Sequence, residues 1–252
     1  FNQDILKKFL AKLDFIDFVS EVNSFSAVDA IKSLKPDYYC KGKEYQNLKF
    51  IIPRAKKLSK DVIVVDGHSN DGTKELCRKF NVRFYLDNNV GKGDAQRVGC
   101  KRAKNEFIIF IDGDGAHDLK DVKKIYTLLK KNIDLVICSR QTGGSYDLNF
   151  QDGFKSAIRA SGVIFLVSLF NMLFKTTFTD ILYSFKGISK KNFFLLKTKQ
   201  NGFAIEIDIL IRAIINKLKI KEIPSRENAR IYGKSKLPTI VGFYFIFYIF
   251  YK

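Results

Sequence analysis

Two carboxylates separated by a single glycine stand out in the sequence, because a short apolar segment leads directly into them. The segment FIDGDGAHD contains Asp112 and Asp114. If the apolar residues before it form a buried strand, both side chains follow its carboxyl end, where open parallel sheets bind ligands. Two such carboxylates can share one hard divalent cation that keeps positions open for substrate phosphates. The pattern predicts a Mg²⁺ or Mn²⁺ site that neutralises a departing diphosphate. The alternative is an acidic turn after a strand.

Two other loops carry groups that suit a nucleotide. In VIVVDGHSNDGT, Asp66 ends another apolar segment, where its carboxylate can accept hydrogen bonds from a base or a ribose. Asp71 follows in the same loop and either contributes to binding or only caps the next helix. In NNVGKGDAQRVG, Lys92 and Gly93 precede a helix, whose first N–H groups suit a phosphate.

Apolar strands and helices alternate around these loops. Strands are predicted at residues 48–53, 62–66, 82–87, 106–112 and 134–139, and helices at 73–80, 93–104 and 118–131. Such alternation predicts an α/β fold with a parallel, doubly wound sheet. Only eight residues separate Pro53 from Val62, whereas a parallel crossover needs roughly a dozen or more. Either the first segment is not a neighbouring parallel strand, or a helix has been lost there.

The composition limits the classes of partner. With 46% hydrophobic and 28% charged residues, the chain of 252 residues is expected to fold. Its net charge of +18 fits phosphate-bearing substrates, an anionic membrane surface or simply a solvated lysine-rich surface. No basic-aromatic pattern indicates nucleic acid as a partner. The four cysteines have no C-x-x-C spacing, which predicts buried reduced thiols in a cytoplasmic compartment.

Two apolar segments lie in the C-terminal half. Residues 157–174 are typical either of a helix in the membrane interface or of a buried core helix. Residues 239–251 read TIVGFYFIFYIFY and indicate the start of a transmembrane or interfacial segment. These segments and the positive charge predict a chain associated with the cytoplasmic face of a membrane.

In their order along the chain, the three loops resemble the family 2 glycosyltransferases, and most closely the polyprenyl-phosphate branch that includes dolichol-phosphate mannose synthases. Other segments match in the same order: CSRQTGG resembles the family's G-S-R segment, TDILYSFKGIS its T-D-x-x-x-G-F-R stretch, GFAIEIDILIRA its G-F-E-x-E helix, and EIPSRENARIYGKSKL its tail. The resemblance spans roughly residues 48–240. It implies the GT-A fold, a Rossmann-like fold of nucleotide-diphospho-sugar transferases with a mostly parallel sheet.

The resemblance also implies roles for residues that no local pattern marks. Arg140 is expected near a phosphate, Asp180 on the acceptor side and Glu206 along the wall of the site. In the tail, Arg230 and Lys236 are expected to grip the acceptor or the diphosphate. The implied catalytic set therefore adds Asp180 and Glu206 to the two metal-binding carboxylates.

The implied organisation has three parts. Residues 1–47 resemble the C-terminal end of a cytidylyltransferase without its H-x-G-H motif, and form a small α/β fragment. Residues 48–237 form the transferase domain, and 238–252 begin an apolar membrane segment.

The implied function is metal-dependent transfer of a sugar from a nucleotide-diphosphate donor to a polyprenyl phosphate or a cell-envelope glycan. A lipid phosphate is already an anion and needs little help from a base, whereas a hydroxyl acceptor would need Asp180 or Glu206 as base. Two alternatives stay open: an inactive or scaffold fragment that binds nucleotide or membrane, and a nucleotidyltransferase. The first is favoured by Gly67, which replaces a family aspartate, and by the missing P-x-x-N-E loop after Pro53.

Overall fold

The computed structural model describes residues 46–59, 61–145, 154–228 and 241–251. The helices are α1 (Gln46–Leu58), α2 (Thr73–Lys79), α3 (Lys92–Arg102), α4 (Asp121–Lys130), α5 (Phe154–Phe174), α6 (Lys190–Leu196), α7 (Ile205–Ile215) and α8 (Val241–Phe250). The strands are β1 (Ile63–Asp66), β2 (Arg83–Leu86), β3 (Phe107–Phe110), β4 (Leu135–Ser139), β5 (Lys186–Ser189) and β6 (Ile220–Pro224). The cytidylyltransferase-like fragment, apart from its last two residues, and the predicted ligands Arg230 and Lys236 lie outside the described residues.

The strand prediction for residues 48–53 is wrong, since this segment lies within α1. Its apolar run suggested a strand, but Leu48 and Ile52 recur at helical spacing, with Lys49 and Phe50 exposed between them. Ile52 is buried against Leu76 of α2. The short connection to β1 therefore leads out of a helix and is not a crossover between parallel strands.

The other four predicted strands are present, and they lie in two sheets, of which the larger is mixed. β1 and β2 pair in parallel, and a second sheet has the order β3-β5-β4-β6. β4 and β6 are parallel, but β5 runs antiparallel to both β3 and β4. The fold is therefore α/β, with an antiparallel strand inserted between elements of a parallel pattern.

Helices cover both faces of β4, so alternate side chains of this strand enter two different cores. Leu135 and Ile137 pack in the larger core, which also contains residues of α5, α7 and α8. Val136 and Cys138 pack in a smaller core beneath α4. Gly187 of β5 allows α4 to approach closely, because a Cβ at this position would lie 2.3 Å from a methyl carbon of Ile125.

The apolar segments of the C-terminal half are partly core. In α5, Leu166 and Phe170 are buried, and in α8 the buried residues include Phe245 and Tyr248. Both helices also carry exposed apolar residues, and among the side chains that the structure describes the large exposed ones are Ile164, Phe165, Met172, Leu173, Tyr244, Phe247 and Phe250. Across the described ranges, every helix is too short or too polar to cross a membrane.

Three of the four cysteines lie in the described part of the chain. Cys77, Cys100 and Cys138 are buried free thiols, as the sequence predicts. Burial raises the pKa of each thiol, to about 11 for Cys77 and about 12 for Cys138, so these side chains are protonated at neutral pH.

Candidate functional site

Asp112 lies two residues beyond the end of β3 and is held by side chains from two other elements. Its carboxylate accepts a 2.6 Å hydrogen bond from Ser184 Oγ, which lies just before β5. The Lys92 ammonium at the start of α3 lies 3.0 Å from Asp112 Oδ1. The antiparallel pairing of β5 with β3 brings Ser184 to this edge of the sheet.

His117 contacts both the backbone and the carboxylate of Asp112. Its Nδ1 accepts the backbone N–H of Asp112 at 3.2 Å, so the neutral ring carries its proton on Nε2. Nε2 lies 3.4 Å from Ser184 Oγ, and the ring stacks on Phe185 with centroids 4.7 Å apart. Burial lowers the pKa of His117, which keeps the ring neutral. Ser184 can therefore accept from His117 and donate to Asp112.

These contacts keep Asp112 ionised. Burial acts to raise its pKa, but the charge of Lys92 and the hydrogen bonds from Ser184 and Lys92 outweigh burial and lower the pKa to about 2. The side chain is 36% exposed. An anionic carboxylate thus faces solvent at the end of a buried strand.

Behind this carboxylate, charges alternate into the core. Lys92 Nζ lies 3.2 Å from Glu206 Oε1, and Glu206 Oε2 lies 2.6 Å from Lys186 Nζ. Gln96 Nε2 donates a further hydrogen bond of 3.1 Å to Glu206. The Lys186 and Glu206 side chains are 1% and 3% exposed. The order from the surface inward is Asp112, Lys92, Glu206 and Lys186, with each charge opposite in sign to the next.

Asp114 is the second predicted metal ligand. Its Oδ1 accepts the backbone N–H of Ala116 at 3.1 Å, which orders the turn. Within the part of the chain that the structure describes, no group of three or more His, Cys, Asp or Glu side chains could hold a metal ion. Two carboxylates with a solvent-facing side still fit a hard divalent cation that takes its remaining oxygen ligands from phosphate and water.

The loop after β1 is bonded mainly to itself. Asp66 accepts from Ser69 Oγ at 2.7 Å and from the Ser69 backbone N–H at 3.0 Å. Asp71 Oδ1 accepts from the backbone N–H and the hydroxyl of Thr73 at 3.1 and 2.7 Å. Asp71 therefore stabilises the first turn of α2, which is the structural role that the sequence left open.

The glycines around Lys92 pack against the segment before α7. The Gly93 N–H donates to the Asn201 carbonyl at 2.6 Å. A Cβ at Gly93 would lie 2.1 Å from the Gln200 carbonyl oxygen. This amide is thus already used within the protein, and the geometry favours a packing role for Gly93 over phosphate binding. Lys92 is the group of this loop that faces Asp112.

Arg140 and Asp180 form a second ion pair. Arg140 Nε donates to Asp180 Oδ2 at 2.7 Å and Nη2 to Oδ1 at 3.1 Å. The guanidinium lies 4.8 Å from the centre of the Tyr183 ring and 3.4 Å from Glu227. The Asp180 carboxylate is fully buried. The structure therefore does not support direct proton abstraction by Asp180, because both of its oxygens accept from Arg140.

Sequence reasoning missed three polar residues of the site: Ser184, Lys186 and Gln96. A signal for Lys186 existed, since a lysine inside an apolar strand needs a buried carboxylate as partner. The pairing with Glu206 could not be derived from spacing, because Glu206 lies in α7 and only the fold brings it to Lys186 of β5.

Residues 43–153 match the model of the glycosyl transferase family 2. The chain is 24% identical over 166 residues to the glycosyltransferase AglJ of Haloferax volcanii, a match covering 66% of this chain and 53% of that protein. It is 27% identical over 195 residues to the dolichol-phosphate mannosyltransferase of Mycosarcoma maydis, covering 74% of this chain and 64% of that one. The chain thus spans about half to two thirds of these two relatives.

The fold is shared with a solved glucosyl-3-phosphoglycerate synthase of Mycobacterium tuberculosis, in complex with Mn²⁺, UDP-glucose and phosphoglyceric acid. The TM-score is 0.59 at 17% identity, and the similarity covers 80% of this chain and 72% of that one. This confirms the predicted GT-A fold class.

Proposed function

We propose that this chain, a glycosyltransferase whose residues 43–153 match family 2, transfers a sugar from a nucleoside-diphosphate donor to a membrane-bound lipid phosphate. We assign a divalent cation, Mg²⁺ or Mn²⁺, to Asp112 and Asp114. The observation that carries the proposal is the ionised, partly exposed Asp112 carboxylate at the end of β3, fixed by Lys92, Ser184 and His117.

On the donor side, the residues divide into two roles. Asp112 and Asp114 would hold the metal, and the metal would neutralise the departing diphosphate. Lys92 supplies a further positive charge at the same edge, and we assign Asp66, the last residue of β1, to the ribose or the base. The Mycobacterium tuberculosis synthase of the same fold was solved with Mn²⁺ and UDP-glucose, which supports this donor class.

The acceptor class follows from the state of the two candidate bases. Asp180 is paired through both oxygens with Arg140, and Glu206 is buried between Lys92 and Lys186. Neither carboxylate is placed to take a proton from a hydroxyl. A phosphate acceptor is already anionic and attacks without a base, and the relative from Mycosarcoma maydis is a dolichol-phosphate mannosyltransferase.

The proposal includes docking at the cytoplasmic face of a membrane. α5 and α8 expose large apolar side chains such as Phe165, Met172 and Phe247. Exposed aromatic and aliphatic side chains on helices suit the boundary between headgroups and acyl chains. The net charge of +18 favours an anionic leaflet. A lipid-phosphate acceptor would be met at that surface.

Two measurements test the function. Calorimetric titration with UDP- and GDP-sugars, with Mn²⁺ and with chelator, should give metal-dependent binding of one donor. A transfer assay should then give product with a polyprenyl phosphate and none with the matching polyprenol.

Asp112→Ala and Asp114→Ala should abolish the metal-dependent part of donor binding. Asp118→Ala is the matched control, since Asp118 lies in the same loop and its carboxylate accepts from the Lys120 N–H at 3.0 Å. Donor binding that chelator and both site variants leave unchanged would contradict the metal assignment. Equal transfer to polyprenol would contradict the acceptor class.

A further inference from the structure

Lys92 forms ion pairs with two carboxylates that differ in their exposure to solvent. Its Nζ lies 3.0 Å from Asp112 Oδ1 and 3.2 Å from Glu206 Oε1. The Asp112 side chain is 36% exposed, whereas that of Glu206 is 3% exposed. One ammonium is thus the counter-ion of a ligand-facing carboxylate and of a core carboxylate at the same time.

Glu206 has a second cation, and Asp112 has none among the partners that the structure gives. Lys186 lies 2.6 Å from Glu206, so Glu206 stays paired if Lys92 moves. The other partners of Asp112 are the hydroxyl of Ser184 and the ring of His117, whose Nδ1 accepts the Asp112 backbone N–H and therefore carries no proton. Lys92 can therefore leave Asp112 without orphaning a buried charge, provided that another cation takes its place.

A divalent cation at Asp112 would compete directly with the ammonium. Two cations on one carboxylate repel each other, and the repulsion is largest where solvent screening is weakest. Lysine has a flexible stem and rotatable donors, so its head can shift while the backbone of α3 stays fixed.

We propose that Lys92 is a tethered counter-ion that occupies the Asp112 carboxylate before metal binds and is displaced by the divalent cation. The inference rests on the proposed function, since the metal is the one assigned to the donor site. While Lys92 occupies the carboxylate, it keeps Asp112 ionised and in place. After displacement, it stays beside Glu206 as a positive charge available to the diphosphate.

The test is a titration of the full chain with Mn²⁺ alone, without nucleotide, followed by calorimetry. Lys92→Met should bind Mn²⁺ about tenfold more tightly than the wild type, because the competing charge is gone. Lys124→Met is the matched control: it removes an ammonium that lies 2.7 Å from Asp121 on the exposed side of α4, and its Mn²⁺ affinity should equal that of the wild type. Lys92→Gln, which removes the charge but keeps a polar side chain, repeats the test if the methionine variant folds poorly.

The outcomes separate this inference from the function on which it rests. Tighter Mn²⁺ binding in the Lys92 variants, with unchanged binding in Lys124→Met, supports displacement. Equal or weaker binding in those variants, with clear binding in the wild type, overturns the inference and leaves the metal-dependent transferase intact. Absence of Mn²⁺ binding in wild type and variants overturns both.

Discussion

The loops after β1 and β3 share a sequence plan but differ in what holds them. Each has an aspartate at or just beyond the end of an apolar strand, followed by a glycine. Asp66 is held by Ser69, three positions along the same loop. Asp112 is held by Lys92 and Ser184, which are 20 and 72 positions away.

This difference separates a locally closed loop from a junction between elements. A carboxylate bonded within its own loop can be replaced with little effect on other elements. Asp112 instead joins the start of α3 to the segment before β5, so its charge is coupled to the core through Lys92 and Glu206. We therefore expect activity and stability to depend far more on the β3 loop than on the β1 loop.

Replacing the two aspartates in turn tests this comparison with the largest expected effect. Asp112→Ala should lower kcat/KM about a thousandfold, because the charge stabilisation of the leaving diphosphate is lost. Asp66→Ala should raise the donor KM about tenfold, as expected for one lost hydrogen bond to the nucleotide. Initial rates at varied donor concentration measure both. Similar losses in the two variants would show that the loops are functionally equivalent.

The second prediction concerns one ion pair in each region. Breaking the buried pair should lower the free energy of unfolding more than breaking the peripheral pair. Lys186→Met leaves the buried Glu206 with Lys92 as its remaining cation, and should lower the free energy of unfolding by about 1.5 to 3 kcal/mol, as expected for one lost hydrogen bond between charged groups. Arg83→Met, on β2 beside β1, breaks the ion pair with Asp61, and the side chains of Arg83 and Asp61 are 27% and 14% exposed. It should cost about 1 kcal/mol or less. Urea denaturation measures both, and an equal cost would remove the distinction between a buried and a peripheral pair.

What the sequence could predict follows the same division between local and distant contacts. Asp112 and Asp114 could be predicted as metal ligands because a strand and two carboxylates are adjacent in the chain. For Asp71 the sequence left nucleotide binding and a cap role open, although its bonds to Thr73 are equally local. Ser184 and Lys186 were missed because their partners come from other elements, and only the fold brings β5 between β3 and β4.

Two segments that were interpreted from their apolar composition were the least informative. Residues 48–53 were predicted as a strand because they are apolar, yet they lie in α1, where the apolar face packs on α2. Residues 239–251 read as a membrane segment, yet Phe245 and Tyr248 of α8 are buried in the larger core and Tyr248 donates to Asp208 at 2.6 Å. Apolar composition alone does not show which side chains of a helix pack in the protein core and which remain exposed.

The smallest expected difference comes from removing one hydroxyl in each loop. Ser184→Ala should lower the free energy of unfolding by about 1 to 2 kcal/mol, because a buried hydroxyl that donates to Asp112 at 2.6 Å is lost and His117 Nε2 loses its neighbour. Ser69→Ala should change it by about 0.5 kcal/mol or less, since Ser69 is exposed and water can replace its hydroxyl at Asp66. Urea unfolding of the pair at neutral pH measures this difference, with Ser184→Thr expected to recover part of the loss by keeping the hydroxyl. If Ser69→Ala costs as much as Ser184→Ala, the β1 loop is as firmly joined to the fold as the β3 loop, and the division between them is wrong.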